Sequence, residues 1–251
     1  MEITQERLEQ EFGLDIIMTS PSVQYKIIDN NDVEINVDSP GRLPDRNTFK
    51  HIMEPFVKLE LITPIEYVGP LMELSSARRG EFVEMKHLSA QRVTLIYMIP
   101  LSEVIVDFFD IVKSRTRGYA SMSFQEAEYR IENLVRVDIR INGDLALPLT
   151  SIRHRDQAEE SGRVICEHLK SVMTRHQFKI SIQACIGPRA IASTTISPVM
   201  KDVLAKMSGG DYSRKKKLLN KQARGKKRLK SFGKVYIPQE AFMSVIRNNN
   251  A

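Results

Sequence analysis

From Phe56 onward the apolar positions change period several times, and each change marks an element. Val57 to Ile62 alternates as a strand, and Pro64 to Arg79 has helical spacing with proline at its start and Gly80 at its stop. Phe82 to Leu88 and Arg92 to Ile99 read as a hairpin. Ser102 to Lys113 reads as a helix with Val104, Ile105, Phe108, Phe109 and Val112 on one face. Tyr119 to Glu128 and Leu134 to Ile141 supply further strands, and Asn142-Gly143 closes the module. The order β-α-β-β-α-β with one additional strand predicts a ferredoxin-like split βαβ domain over residues 56–141, two helices covering one face of an antiparallel sheet.

The flanks are less regular. Ile3, Leu8 and Phe12 fall at helical spacing with no capping residue before them, the pattern of a chain that starts in mid-helix. Asp15 to Ile28, broken at Ser20-Pro21, and Asp32 to Val37 predict two strands, so residues 1–40 read as a partial α+β unit. Residues 41–55, with Gly41, Pro44 and Pro55, read as a linker. Residues 142–251 form the last domain, beginning with an irregular stretch. A helix over Gln157 to Met173 follows, then strands Phe178 to Ile186 and Ala190 to Ile196 about a Gly187-Pro188 turn. A short helix over Val199 to Met207 comes next, and after Gly209-Gly210 a long helical stretch over Arg214 to Lys230 that Asp211 or Ser213 can cap. Val235 to Ile237 and a helix over Gln239 to Ile246 complete it. The chain as a whole is predicted to be α+β.

Charge changes this picture most at one place. Residues 201–234 hold 13 of the 37 basic side chains against two acids, a formal charge of +11, while the remainder has 24 cations against 29 acids. Arg214 to Lys230 contains ten cations and no acid: Arg214, Lys215, Lys216, Lys217, Lys221, Arg224, Lys226, Lys227, Arg228 and Lys230. Cations at nearly every angle leave Leu218, Leu219, Ala223 and Leu229 to hold such a helix to the body, and self-repulsion calls for an anion. A concentrated cationic surface attracts polyanions and releases their counterions, so these ten residues are the candidate RNA-binding set. With only Tyr212 and Phe232 nearby, phosphate contact and not base stacking is expected to dominate. The alternative is a peripheral membrane protein that lays this helix on anionic lipid, although the leucines make a thin apolar face and the chain has no tryptophan.

Other motifs narrow the chemistry. His154-Arg155-Asp156 has the letters of a kinase catalytic loop but lacks the downstream asparagine and any glycine-rich loop, so it reads as a polar turn with Asp156 capping a helix. Arg78-Arg79-Gly80 and Arg115-Thr116-Arg117-Gly118 are basic helix ends, favoured by the helix dipole and also able to face RNA. No G-x-x-x-x-G-K-[ST], G-x-S-x-G or H-E-x-x-H motif occurs, so no catalysis, cofactor or metal site is expected of this chain alone. Cys166 and Cys185 are expected to be buried thiols in a reducing compartment. No apolar run approaches bilayer length, and the acidic start lacks the features of a secretory signal.

The strings SSARRGEFVEMKHL, DFFDIVKSRTRGYAS, LVRVDIRING, HRDQAEESGR and above all KDVLAKMSGGDYSRKKKLLNKQARGKKRLK resemble the C-terminal half of the LepA family, ribosome-associated translation factors related to elongation factor G. The resemblance runs over essentially the whole chain. It implies that residues 1–40 are the latter part of a unit like the third domain of elongation factor G, that 56–141 resemble its fifth, and that 142–251 are the domain peculiar to LepA. It further implies a GTPase, with GTP and Mg²⁺ bound by domains absent here, that acts on the translocation state of tRNAs during protein synthesis. Its partners would be the ribosome, ribosomal RNA and tRNA, its state monomeric, and its location the cytoplasm or an organelle matrix, in part at the membrane periphery. The ten cations would face RNA.

Overall fold

The computed structural model describes residues 2–13, 16, 19, 21–204, 212–232, 235, 237–238, 241–242 and 245. Two compact units result, one of residues 20–134 and one of residues 1–19 with 135–248. The second contains helix α1 (Glu2–Phe12), whose Phe12 side chain is exposed.

The first unit is built around its longest alternating run. Strand β1 (Tyr25–Asp29) and β2 (Glu34–Val37) form a hairpin, and β1 pairs in turn with β3 (Phe49–Pro64). Beyond β3 come α2 (Val68–Ala77), β4 (Glu81–His87), β5 (Arg92–Pro100), α3 (Leu101–Ile105), α4 (Phe108–Arg115) and β6 (Ser121–Glu132). Pairing of β6 with β3, β3 with β5 and β5 with β4 is antiparallel throughout, the strand order of a split βαβ fold. One face carries Val57, Leu59 and Leu61 of β3 and Val93, Leu95, Tyr97 and Ile99 of β5. They pack against Leu71 and Leu74 of α2, Val104 of α3, and Phe108 and Val112 of α4. All are at most 4% exposed, and each such aliphatic side chain contributes about 1.5–3 kcal/mol of transfer free energy.

In three places the fold departs from the pattern of the sequence. Residues 41–55 are not a linker: two 3-10 turns, Pro40–Arg42 and Arg46–Thr48, lead directly into β3. Pro55 is tolerated inside that strand because it falls between the end of β1 pairing at Met53 and the start of β5 pairing at Phe56, beside a register shift in the β6 ladder. Strands β1 and β2, expected as part of a separate first unit, therefore belong to the six-stranded sheet. The helix expected over 102–113 is two helices, broken at the buried Asp107, which Arg78 holds at 2.8 Å. Of the expected apolar face, Val104, Phe108 and Val112 are buried while Ile105 and Phe109 are exposed.

The second unit takes the strand expected as the additional member of the first. β7 (Leu134–Ile141) pairs with β10 (Ile180–Ile186) in a five-stranded sheet that also holds β8 (Asp144–Leu145), β9 (Ser151–His154) and β11 (Arg189–Ile196). Asn142 and Gly143, both at positive φ, turn β7 onto β8, so the pair lies inside this sheet and does not close the preceding module. Helix α5 (Arg155–Val172) lays Ala158, Gly162, Ile165, Cys166 and Leu169 on the sheet. A side chain at Gly162 would stand 2.8 Å from the Ala184 Cβ, so glycine sets how closely the helix approaches. His154 occupies the N-cap position without a side-chain cap bond, and Asp156 lies within the first turn, so the expected aspartate cap is not formed. Residues 199–204 of the expected short helix are irregular, and 205–207 lie outside the described residues. Residues 241–242 and 245 are helical as expected, while 236, 239–240, 243–244 and 246 lie outside.

Candidate nucleic-acid interface

Helix α6 (Tyr212–Phe232) realises the basic stretch as 21 residues of continuous helix, roughly 31 Å long at 1.5 Å per residue. Lysine, arginine, glutamine and leucine are good helix formers, and no proline or β-branched residue interrupts Arg214 to Lys230. The candidate cap Asp211 lies outside the described residues, and Ser213 is inside the helix.

How α6 is held differs from the expectation of a leucine face. Leu219 and Leu229 are each 47% exposed, and Ala223 is exposed too. The half-buried positions are Lys215, Leu218, Gln222 and Lys226, spaced three, four and four apart along one side. Two of these make directed bonds: Gln222 Nε2 donates to the Lys201 carbonyl at 2.8 Å and Lys226 Nζ to the Val199 carbonyl at 2.7 Å. Hydrogen bonds to irregular backbone thus replace most of the expected apolar anchor. In the sequence, a polar residue inside a run of cations at the i+4 spacing to Leu218 was the available sign of this at Gln222.

The ten sequence-predicted residues therefore divide. Arg214, Lys216, Lys217, Lys221, Arg224, Lys227, Arg228 and Lys230 are exposed, Lys215 lies at the edge of the inner side, and Lys226 is committed to a carbonyl. Lys215, Lys216, Lys217, Lys221, Arg224, Lys227 and Lys230 form no ion pair among the described residues, so their charges add without local compensation. Cations that close together on one helix repel, so this side of α6 favours an anion.

The arginines at the end of α2 behave otherwise. Arg79 takes a left-handed conformation with φ 59°, and Gly80 N–H donates to the Ser75 carbonyl at 2.8 Å in a Schellman-type stop. Glycine is required at residue 80 because a Cβ would lie 2.7 Å from that same oxygen. Left-handed backbone costs a non-glycine residue about 1–2 kcal/mol, and the side chain offsets it. The Arg79 guanidinium meets the fully buried Glu54 at 2.6 and 3.1 Å and Glu103 at 3.4 Å. Arg78 reaches Asp107 at 2.8 Å and Glu103 at 3.6 Å. Burial pushes the Glu54 carboxyl above its ordinary value, Arg79 and Ser102 pull against that, and Glu132 adds to the rise. The Arg78-Arg79 pair is thus an internal ion network, not a surface offered to RNA.

Cys166 and Cys185 are both free and buried, and burial pushes the Cys166 thiol up to about 11. The described residues include no helix long and apolar enough to cross a membrane.

Two families match the chain, in the order in which its two sheets occur. The family described as "Elongation factor G C-terminus" matches residues 51–140, and that described as "GTP-binding protein LepA C-terminus" matches residues 141–247. Among curated proteins, "Elongation factor 4" of Trichodesmium erythraeum is 56% identical over 247 residues, covering 98% of this chain and 41% of the relative. "Elongation factor 4" of Parasynechococcus marenigrum is 55% identical over 250 residues, covering 100% and 41%. "Translation factor GUF1 homolog, mitochondrial" of Phaeodactylum tricornutum is 52% identical over 249 residues, covering 99% and 36%. The chain spans about two fifths of the length of the curated relatives it matches.

Proposed function

This chain belongs to the LepA (elongation factor 4) family of translation factors, as its C-terminal part, and from that premise we propose that it binds ribosomal RNA and tRNA on the ribosome through α6. The observation that supports this most is the row formed by Lys216, Lys217, Lys221, Arg224, Lys227 and Lys230, all exposed and without a carboxylate partner among the described residues. Such a surface binds a phosphate backbone by position and charge and carries no base sequence information of its own. In this reading the chain is the docking portion of a factor that acts on the translocation state of tRNAs. GTP and Mg²⁺ belong to the part of such proteins that this chain does not span. The protein works where translation occurs, in the cytoplasm or in an organelle matrix, and as a monomer.

The lipid-binding alternative requires a continuous apolar stripe along α6. Leu219 and Leu229 are ten residues apart, about 80° from each other around the axis at 100° per residue, with cations between them. That disfavours insertion into a bilayer.

Ribosome co-sedimentation across a salt series tests the proposal. Six or more phosphate contacts predict a loss of about 10³-fold or more in affinity between 50 and 200 mM salt. A flat salt response overturns the reading, and flotation with anionic liposomes in its place supports the lipid alternative.

A further inference from the structure

Helix α4 ends with the same backbone device as α2, but the side chains beyond its stop turn outward. Gly118 N–H donates to the Lys113 carbonyl at 2.8 Å, Arg117 is left-handed at φ 53° and Gly118 is at φ 82°. The turn is fixed from beneath by the fully buried Thr116. Its hydroxyl donates to the Val112 carbonyl at 2.8 Å and accepts from Ala120 N–H at 3.2 Å, while Tyr119 N–H donates to the Thr116 carbonyl at 2.9 Å. The backbone on both sides of Tyr119 is therefore held.

On this rigid turn the Tyr119 side chain is 69% exposed. Its ring stacks on that of Tyr67, which precedes α2, with centroids 6.3 Å apart and planes inclined by 14°. Exposed cations precede Tyr119 in the chain at Lys113, Arg115 and Arg117. Arg115 donates to the Pro70 carbonyl at 3.3 Å, two residues into α2, and Lys113 sits 4.2 Å above the Phe109 ring. Burial and the neighbouring Glu66 push the Tyr67 hydroxyl above its ordinary value, and Arg117 pulls it back, so that guanidinium acts on the ring pair. From Ile111 to Gln125 there is no acidic residue. An aromatic pair that serves no core, is held on a turn fixed by buried hydrogen bonds and follows a helix end that carries three exposed cations has the makings of a stacking platform beside a phosphate site.

We propose that this corner of the first unit binds an unpaired RNA nucleotide, the base stacked on the Tyr119–Tyr67 pair and the adjoining phosphates met by Arg117, Arg115 and Lys113. The inference deepens the RNA-binding reading, and it supplies what α6 lacks. Among the described residues α6 makes no ring–ring contact, whereas this turn presents paired rings that can grip the flat face that every base has. A base already paired in a duplex has its faces covered by its neighbours, so the site selects single-stranded or bulged RNA over continuous duplex.

The test titrates the whole chain with a short single-stranded RNA bearing one 2-aminopurine, and separately with an RNA duplex of equal length. Stacking quenches the probe on the single strand. Tyr119→Ala is expected to weaken single-strand binding about 5- to 100-fold, to abolish the quench, and to leave the salt slope unchanged. Tyr119→Phe is expected to retain both affinity and quench. Because Tyr119 is exposed, circular dichroism of both variants should match that of the parent chain. Wild-type affinity and quench in Tyr119→Ala overturn the platform, as does an equal loss on duplex RNA. A loss seen only with ribosomal proteins freed of RNA also overturns it, in favour of a protein partner. The two readings fail separately. If glutamine at the exposed α6 positions leaves RNA binding unchanged while Tyr119→Ala still abolishes the quench, the α6 proposal falls and the platform stands.

Discussion

The end of α2 and the whole of α6 are both basic in sequence, yet the structure uses their cations in opposite ways. Arg78 and Arg79 turn inward onto Glu54, Glu103 and Asp107, acids that lie 24 or more residues away along the chain. The exposed lysines of α6 have no such acids, because none occurs within the segment and none is brought to it among the described residues. A cluster of cations becomes a candidate nucleic-acid surface only when folding fails to supply its counter-charges. Local charge density alone does not distinguish the two cases.

The largest expected effect is on binding. Glutamine at Lys216, Lys217, Lys221, Arg224, Lys227 and Lys230 is expected to lower affinity for ribosomal RNA by about 10³-fold or more at low salt. For every phosphate left without its cation, the slope of log affinity against log salt should also shrink by roughly 0.7–0.9. Arg78→Gln is expected to leave that slope unchanged, and filter binding across a salt series reads both. A change of slope in Arg78→Gln equal to that of a single α6 variant would erase the distinction between the two clusters.

Next in size is the stability of the network. Glu54→Ala leaves the Arg79 guanidinium without its closest partner in a site where it is itself largely buried, and should cost about 3–5 kcal/mol. Denaturant unfolding followed by a probe in residues 20–134 measures this, and RNA affinity under native conditions should not change with it. A cost below about 1 kcal/mol would mean that the pair behaves as an exposed one.

The difference between inward and outward groups extends to the thiols. Because the Cys166 pKa in the folded chain is raised from 9.0 to about 11, its contribution to stability is whole below pH 9 and is lost as pH rises toward 11. The shift corresponds to ~2–3 kcal/mol at most. Unfolding free energy measured at pH 8, 9.5 and 11 should fall over that interval, and the fall should be smaller in Cys166→Ala. Alkylation of native protein at pH 8 should be slow at this residue.

The smallest effect separates one lysine from its neighbours. Lys226 donates to the Val199 carbonyl, so Lys226→Met should loosen the tether of α6 by about 1 kcal/mol. It should increase hydrogen exchange through residues 212–232 and change the salt slope less than Lys227→Gln does. Equal slopes would place both ammonium groups on phosphate.

Periodicity made much of this fold legible. The split βαβ order, the α5 face from Ala158 to Leu169 and the hairpin at Gly187-Pro188 all arise from local spacing, because in each case local preference and tertiary packing agree. Where the pattern misled, the deciding partner was remote. Leu134 to Ile141 alternates equally well for either sheet, and only its ladder with Ile182 to Cys185 assigns it. Asp107 breaks a good helical pattern because Arg78 holds it, 29 residues distant. At α6 the cations were visible from composition, but their division into exposed and tethered was not, since two backbone carbonyls decide it. The Tyr119–Tyr67 pair was likewise hidden by a separation of 52 residues.

The sixteen residues of β3 serve two ladders at once, the β1–β2 hairpin at one end and the βαβ strands at the other. Anyone dissecting the protein by limited proteolysis or truncation should therefore spare residues 49–64, since a break there would sever one sheet in mid-strand and expose fresh edges to aggregation. The productive cut lies at Asn133, between β6 and β7, where the ladders of one sheet end and those of the other begin.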